Sequence, residues 1–187
     1  KIYISGSTVY SSIKLVDTNL ITNSKDYILV TLHRPENVDD KNKLLKILNS
    51  INNLNYKVIF PIHPRTKATL GSVNLNLLNN INFKRPQKYK EFLNLIKNSN
   101  FVISDSGGLQ EESAIYRKPL LIPRDHTERP EMLNKFNRLV RNNKELYSES
   151  KKLLDEKSDL NKKVKTNKLL YGKEESVEKI INILEKK

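Results

Sequence analysis

Short, apolar, β-branched runs recur along this chain at intervals that leave room for one helix between each pair, a rhythm that few folds accommodate. Tyr27-Ile28-Leu29-Val30-Thr31-Leu32 reads as a strand buried on both faces. Leu44, Leu45, Ile47, Leu48 and Ile51 follow at the spacing of a helix face. Lys57 to Ile62 predicts a second strand, with a short helix near Thr66 to Leu70 after it. Ile81 to Lys84 is a third strand, and Tyr89, Phe92, Leu93, Leu95 and Ile96 mark the next helix. Phe101 to Ser104, Leu120 to Ile122 and Arg138 to Arg141 complete the series. Strands and helices alternating at this interval predict an α/β, Rossmann-like parallel sheet with helices on both faces.

The two ends depart from the rhythm. Lys1 to Ser24 reads as a short strand, a turn at Gly6, and a helix carrying Ile13, Leu15 and Val16. From about Lys144 the pattern is helical to the end, with Val177, Ile180, Ile181 and Leu184 spaced to form one apolar face. Gly172 separates two of these helical stretches. Residues 1–187 are expected to form one domain, a length sufficient for its own hydrophobic core.

Composition removes several classes of function. No stretch approaches the roughly 20 apolar residues of a membrane span, and Lys1 to Tyr10 lacks the long apolar region of a signal peptide. Without a single cysteine, disulfides, thiolate metal sites and thiol catalysis are excluded. A cytoplasmic location is expected. The net charge of +13 admits two readings: an anionic partner, or the surface of a chain simply rich in Lys, Asn and Ile. Basic residues are spread along the whole chain, with modest clusters at Lys151-Lys152 and Lys162 to Lys168, so no nucleic-acid partner is expected.

In parallel sheets, ligands sit beyond the carboxyl ends of the strands, and the unusual polar residues fall at such places. His33-Arg34-Pro35-Glu36-Asn37 follows the first long strand, His63-Pro64-Arg65 the second and Arg85-Pro86-Gln87 the third. Asp105-Ser106-Gly107-Gly108 follows the fourth, and Arg124 to Glu131 the fifth. Paired glycines at a helix start let a phosphate approach backbone N–H groups, and the helix end adds roughly half a positive charge. Ser106 can add a hydroxyl donor, while Glu112, one helical turn in, can accept from a ribose hydroxyl. The plainer alternative is an ordinary cap, with Asp105 or Ser106 as the capping residue. Arg34, Arg65 and Arg129 offer donors to a phosphate or carboxylate, and His63 can do the same or hydrogen-bond the backbone. Arg124 to Glu131 can equally be a solvated loop in which Asp125 and Thr127 cap a helix beginning near Pro130. His126 reads as solvated. The three histidines lie on separate loops without metal-motif spacing, so neither a metal nor a cofactor is expected.

Thr31-Leu32-His33-Arg34-Pro35-Glu36-Asn37, Pro61-Ile62-His63-Pro64-Arg65, Asp105 to Glu112 and Thr127-Glu128-Arg129-Pro130-Glu131, in that order, resemble the non-hydrolysing UDP-N-acetylglucosamine 2-epimerases. The resemblance covers nearly the whole chain. It implies one carboxy-terminal lobe of a two-lobed, glycosyltransferase-B-like enzyme that interconverts UDP-GlcNAc and UDP-ManNAc by eliminating and re-adding UDP, within polysaccharide biosynthesis. Carried over, Ser106, Gly107 and Gly108 would hold the diphosphate with help from Arg129. Glu112 would bind the ribose, and Gln87 and Phe92 would cradle the uracil. His33 would lie close to the departing phosphate, as the catalytic residue of this lobe. Arg34 and His63 resemble positions that contact a second, regulatory UDP-GlcNAc. The resemblance also implies a homodimer, and an amino-terminal lobe, absent from these residues, supplying proton transfer at C2. The chain by itself is therefore expected to be inactive; the alternative is a stand-alone UDP-sugar-binding or regulatory module. Phe136 and Arg141 stand where the family usually has glycines around a Leu-Val pair, and Gly172-Lys173-Glu174 replaces a Gly-Asp-Gly turn.

Overall fold

β-Branched and aliphatic side chains alternate to the two faces of each strand, so strands this apolar are stable only with helices over both faces. The computed structural model, which describes residues 1–17, 26–71, 73–155, 158–172 and 175–185, has that arrangement. In chain order the first elements are α1 (Val9–Val16), β1 (Ile28–Thr31), α2 (Pro35–Val38), α3 (Lys41–Asn52), β2 (Val58–Pro61) and α4 (Pro64–Leu70). There follow β3 (Ile81–Lys84), α5 (Tyr89–Asn98), β4 (Val102–Ser104), α6 (Gly107–Ile115), β5 (Leu120–Ile122) and β6 (Asn137–Leu139). Helices α7 (Asn143–Leu154), α8 (Asp159–Thr166) and α9 (Glu175–Glu185) form the tail.

All six strands are parallel, in the order β3-β2-β1-β4-β5-β6. The chain builds outward from β1 through β2 to β3, then returns to start again at β4. Between β1 and β4, paired at Val30↔Ile103 and Thr31↔Ser104, the winding reverses. One face of the sheet, with Ile28, Val30, Phe60 and Ile103, packs on Leu44, Leu48 and Ile51 of α3 and on Leu146 and Leu153 of α7. The other face, with Leu29, Ile59, Val102 and Leu120, packs on Ile13 of α1, Leu93 and Ile96 of α5, and Leu109 of α6.

Several expectations are corrected at the margins. Lys1 to Ser5 forms no strand: Ile2 and Ile4 are exposed and pair with no strand among the described residues. In α1, Ile13 is buried and Leu15 is 86% exposed, so only part of the expected apolar set faces the core; residues 18–25 lie outside the described ones. The sixth strand is Asn137–Leu139, displaced towards the amino terminus from the expected Arg138 to Arg141, and Val140 keeps one ladder bond to the Ile122 carbonyl at 2.9 Å. The helix expected to begin near Pro130 is a single 3-10 turn, Pro130–Met132. Along α9, Val177 and Ile180 are half-buried, but Ile181 and Leu184 are exposed.

Gly6 and Gly172 both take positive φ, +88° and +83°. At Gly6 a side chain would also meet the Tyr171 carbonyl at 2.8 Å, where Ser7 N–H bonds that same oxygen, so the opening segment lies hard against the tail. Phe136 is 1% exposed in the core, with the Arg117 guanidinium 6.0 Å from its ring centroid. Arg141 donates its backbone N–H to Glu145 Oε2 at 2.7 Å, steadying the start of α7. Lys173 and Glu174 lie outside the described residues. Arg138 bridges from β6 to Glu149 of α7 and Asp159 of α8. Among the described residues no helix is long and apolar enough to cross a membrane.

Truncating Phe136 to alanine leaves a cavity between β6 and the tail helices, and should cost about 3–5 kcal/mol. Urea unfolding would read this as a lower midpoint at unchanged slope; a midpoint unmoved would show that the tail repacks freely.

Candidate functional site

Because every strand is parallel, the loops bearing His33, His63, Gln87, Ser106 and Arg129 leave the sheet at one edge. Their mutual placement depends on Asp105, directly after β4 and wholly buried. Its carboxylate accepts the backbone N–H groups of His33 (3.1 and 3.2 Å) and Arg34 (3.0 Å), the Asn37 side-chain amide (3.0 Å), and an ion-pair contact from His33 Nδ1 at 3.0 Å. Asn37 Nδ2 donates in addition to the Pro123 carbonyl at 2.9 Å, so one carboxylate and one amide tie the β1, β4 and β5 loops together. Burial pushes the Asp105 carboxyl up, but the hydrogen bonds from His33, Asn37 and Arg34, with the charge of His33, outweigh it and hold the group below the usual carboxylate range. Asp105 is therefore not a helix cap, one of the two capping assignments open in the sequence. Ser106, at the N-cap position of α6, makes no capping bond either; its backbone N–H donates to Ser104 Oγ at 3.0 Å.

With Nδ1 turned to Asp105, the partly exposed His33 imidazole has no described hydrogen bond at Nε2. The His63 ring stands 5.4 Å away, centroid to centroid, and its Nδ1 accepts the Arg65 N–H at 3.2 Å, capping α4. Arg65 is engaged by Asp39 in two 2.7 Å bonds. Arg34 reaches instead across the site to Glu128 Oε1 at 3.2 Å, with its buried Nε unpaired.

Helix α6 starts with Gly107, buried, and Gly108, exposed, and neither needs positive φ. Space is what both positions provide. A Cβ on Gly107 would lie 3.4 Å from Glu128 Oε2 and 3.6 Å from an Arg129 guanidinium nitrogen, whereas one on Gly108 would meet nothing within 4 Å. The β5 loop thus lies over the helix start. It is pinned there by Gln110, whose Oε1 accepts from Thr127 Oγ1 and Asn137 Nδ2, both at 2.8 Å. Thr127 Oγ1 in turn accepts the Arg129 N–H at 3.1 Å, and the Arg129 guanidinium pairs with Glu111. Arg124, nearly buried, bonds Glu36 (2.9 Å) and Glu128 (2.8 Å). His126 is exposed, as expected.

The β3–α5 loop completes the edge. Gln87 Nε2 donates to the Arg85 carbonyl at 2.6 Å, and half-buried Phe92 packs on the core beneath α5. Glu112 of α6 accepts from the Tyr89 hydroxyl at the start of α5. Burial pushes its carboxyl above the usual range; the Tyr89 bond acts the other way, and Glu111 adds to the rise. A carboxylate in that position gains from hydroxyl donors. A cleft of about 480 Å³ opens beside this surface, lined by Glu36, Asn37, Arg124, His126, Arg141 and Asn142 among others, but by none of the predicted site residues. Asp105, Asn37, Gln110, Thr127 and Tyr89 are the residues that sequence reasoning missed as organisers. A polar residue directly abutting an apolar strand, as Asp105 abuts Val102-Ile103-Ser104, was the available signal.

Comparison with known proteins follows the same lines. The profile of the family described as UDP-N-acetylglucosamine 2-epimerase matches residues 1–185. The chain belongs to the UDP-N-acetylglucosamine 2-epimerase family. It is 42% identical over 154 residues to the UDP-N-acetylglucosamine 2-epimerase of Methanococcus maripaludis, covering 72% of this chain and 42% of that protein. Identity to the Methanocaldococcus jannaschii UDP-N-acetylglucosamine 2-epimerase is 37%, covering 98% and 54%. A crystal structure of the Methanocaldococcus jannaschii UDP-GlcNAc 2-epimerase in complex with UDP-GlcNAc and UDP superposes with TM-score 0.81 at 35% identity, over 100% of this chain and 55% of that one. The chain spans about half the length of these relatives, the extent of one lobe of the glycosyltransferase-B-like fold.

Since the Asp105 pKa is depressed by folding, its contribution is present above the unfolded value of about 3.9 and is lost as pH falls through the folded value. Asp105→Ala should lower stability at pH 7 by about 3 kcal/mol. It should also flatten the acid limb of a melting-temperature profile below about pH 4. Equal acid sensitivity in wild type and variant would refute the bracket.

Proposed function

We propose that this chain is the nucleotide-binding lobe of an enzyme that interconverts UDP-GlcNAc and UDP-ManNAc when joined to an amino-terminal lobe. The observation that carries this reading is the start of α6: backbone N–H groups at the winding reversal, a Ser106 hydroxyl not spent on capping, and Arg129 beside Gly107. Such a place suits a diphosphate. Ser106, Gly107 and Gly108 hold it, with Arg129 alongside. Glu112 accepts from the ribose, and Gln87 and Phe92 border the uracil.

In the reaction a proton leaves C2 as the C1–oxygen bond breaks and UDP departs, giving an enol-ether sugar. Protonation of the opposite face of C2, with UDP returning to C1, yields the epimer. His33, oriented by Asp105, faces the departing diphosphate with Nε2 and stabilises its developing charge. Proton transfer at C2 belongs to the other lobe, so this lobe alone binds without turnover. The nucleotide surface is an open edge, in keeping with a site closed by a second lobe. Arg34 and His63, beside His33, form the approach for a second UDP-GlcNAc that regulates the enzyme. Homodimerisation of the complete enzyme and a cytoplasmic place in polysaccharide biosynthesis complete the reading.

Calorimetric titration with UDP should show saturable binding, weakened about tenfold by Ser106→Ala and ten- to hundredfold by Arg129→Ala. Binding indifferent to both changes would place the nucleotide elsewhere. In a chain with the amino-terminal lobe restored, His33→Gln should slow turnover far more than it weakens UDP binding. A loss confined to affinity would remove His33 from the chemistry.

A further inference from the structure

We infer that Glu128 is a resident anion of the diphosphate seat: its carboxylate occupies the start of α6 and leaves when the nucleotide arrives. This rests on the nucleotide reading above and adds to it a residue with which the ligand must exchange places.

A helix start exposes unsatisfied N–H groups and partial positive charge, which negative groups stabilise. Helix α6 has no acidic residue in its first turn and no side-chain cap. What stands there comes from another loop: Glu128 Oε2 lies 3.4 Å from the place a Gly107 Cβ would take. The same carboxylate accepts from Arg124 (2.8 and 2.9 Å) and from Arg34 (3.2 Å). Hydrogen bonds from Arg124 hold its carboxyl below the usual range, against the effect of burial, so it is charged at neutral pH. The start of α6 and two guanidiniums thus face one place, and the Glu128 carboxylate stands beside it, bonded to the two arginines and not, among the described hydrogen bonds, to the helix N–H groups.

A diphosphate at the same helix start would meet that carboxylate as a like charge at close range, so the two exclude one another. Exchange is feasible because the Glu128 side chain is 41% exposed and can turn outward. The arginines left behind are not stranded. Arg124 retains Glu36 at 2.9 Å, and Arg34, now bound through one nitrogen with its buried Nε unpaired, gains an acceptor able to use more of its fork. Glu128 therefore sets a threshold: a ligand must satisfy the seat better than the resident carboxylate does.

The experiment is calorimetric titration of the 187-residue chain and its Glu128→Gln variant with UDP and, separately, with inorganic pyrophosphate. Glutamine keeps the size and removes the charge. If Glu128 is displaced on binding, the variant should bind both probes about tenfold more tightly than wild type. Binding detectable only in the variant would support the same conclusion. Wild type that binds UDP, with a variant that binds it equally or more weakly, would overturn the resident-anion role and leave the nucleotide reading standing; Glu128 would then be a fixed partner that orients Arg34 and Arg124. Failure of both proteins to bind either probe would overturn both.

Discussion

A carboxylate with no exposure to water, at the point where the sheet reverses its winding, governs this site. Asp105 is buried against a strand that offers it nothing, and is stable as an anion only because the first turn after β1 brings two backbone N–H groups, an imidazole and, through Asn37, an amide to it. The dependence runs both ways. Without the carboxylate those donors would be buried or half-buried without an acceptor, and the β1 loop would lose its only described link to the β4 loop side chains. Through Asn37 and Pro123 the bracket extends to the β5 loop. Three loops that carry chemistry are thereby held as one body.

Around this bracket the charges are paired with little excess. Arg65 has Asp39, Arg129 has Glu111, and Arg124 is shared between Glu36 and Glu128, which also receives Arg34. The net charge of +13 is thus not concentrated at the site, where acids from neighbouring loops offset the arginines. It belongs to lysines scattered over the solvated helices, and bears on solubility more than on recognition. Ion pairs half open to solvent, such as Glu128 with Arg34, are individually weak and exchange readily.

Much of the architecture was legible because apolar periodicity is a local property. The strands at Ile28–Thr31, Val58–Pro61, Ile81–Lys84, Val102–Ser104 and Leu120–Ile122 all fall inside the expected runs. Errors cluster where a local pattern lacks a tertiary partner. Ile2 and Ile4 have strand chemistry but join no strand among the described residues, and Leu15, Ile181 and Leu184 have helical spacing but stay exposed among them. The polar loops were legible as a set, because parallel strands send their carboxyl ends to one edge. Assigning roles within the set was less direct. Asp105 read only as a possible cap, since a cap and a bracket ask for the same residue type, and Gln110 and Thr127 carried no sign of meeting at 2.8 Å.

The sequence by itself determined the period of the chain, the class of sheet and the row of polar loops following its strands, since each is encoded within a dozen residues. Only the tertiary structure decided which of those loops face one another. The contacts of Asp105 with His33 and of Glu128 with Arg34 span 72 and 94 residues of chain. Hydrogen bonds and ion pairs of that range have no periodicity to reveal them. They exist because the sheet order places β4 beside β1 and β5 beside β4, and strand order follows from how the whole apolar core closes.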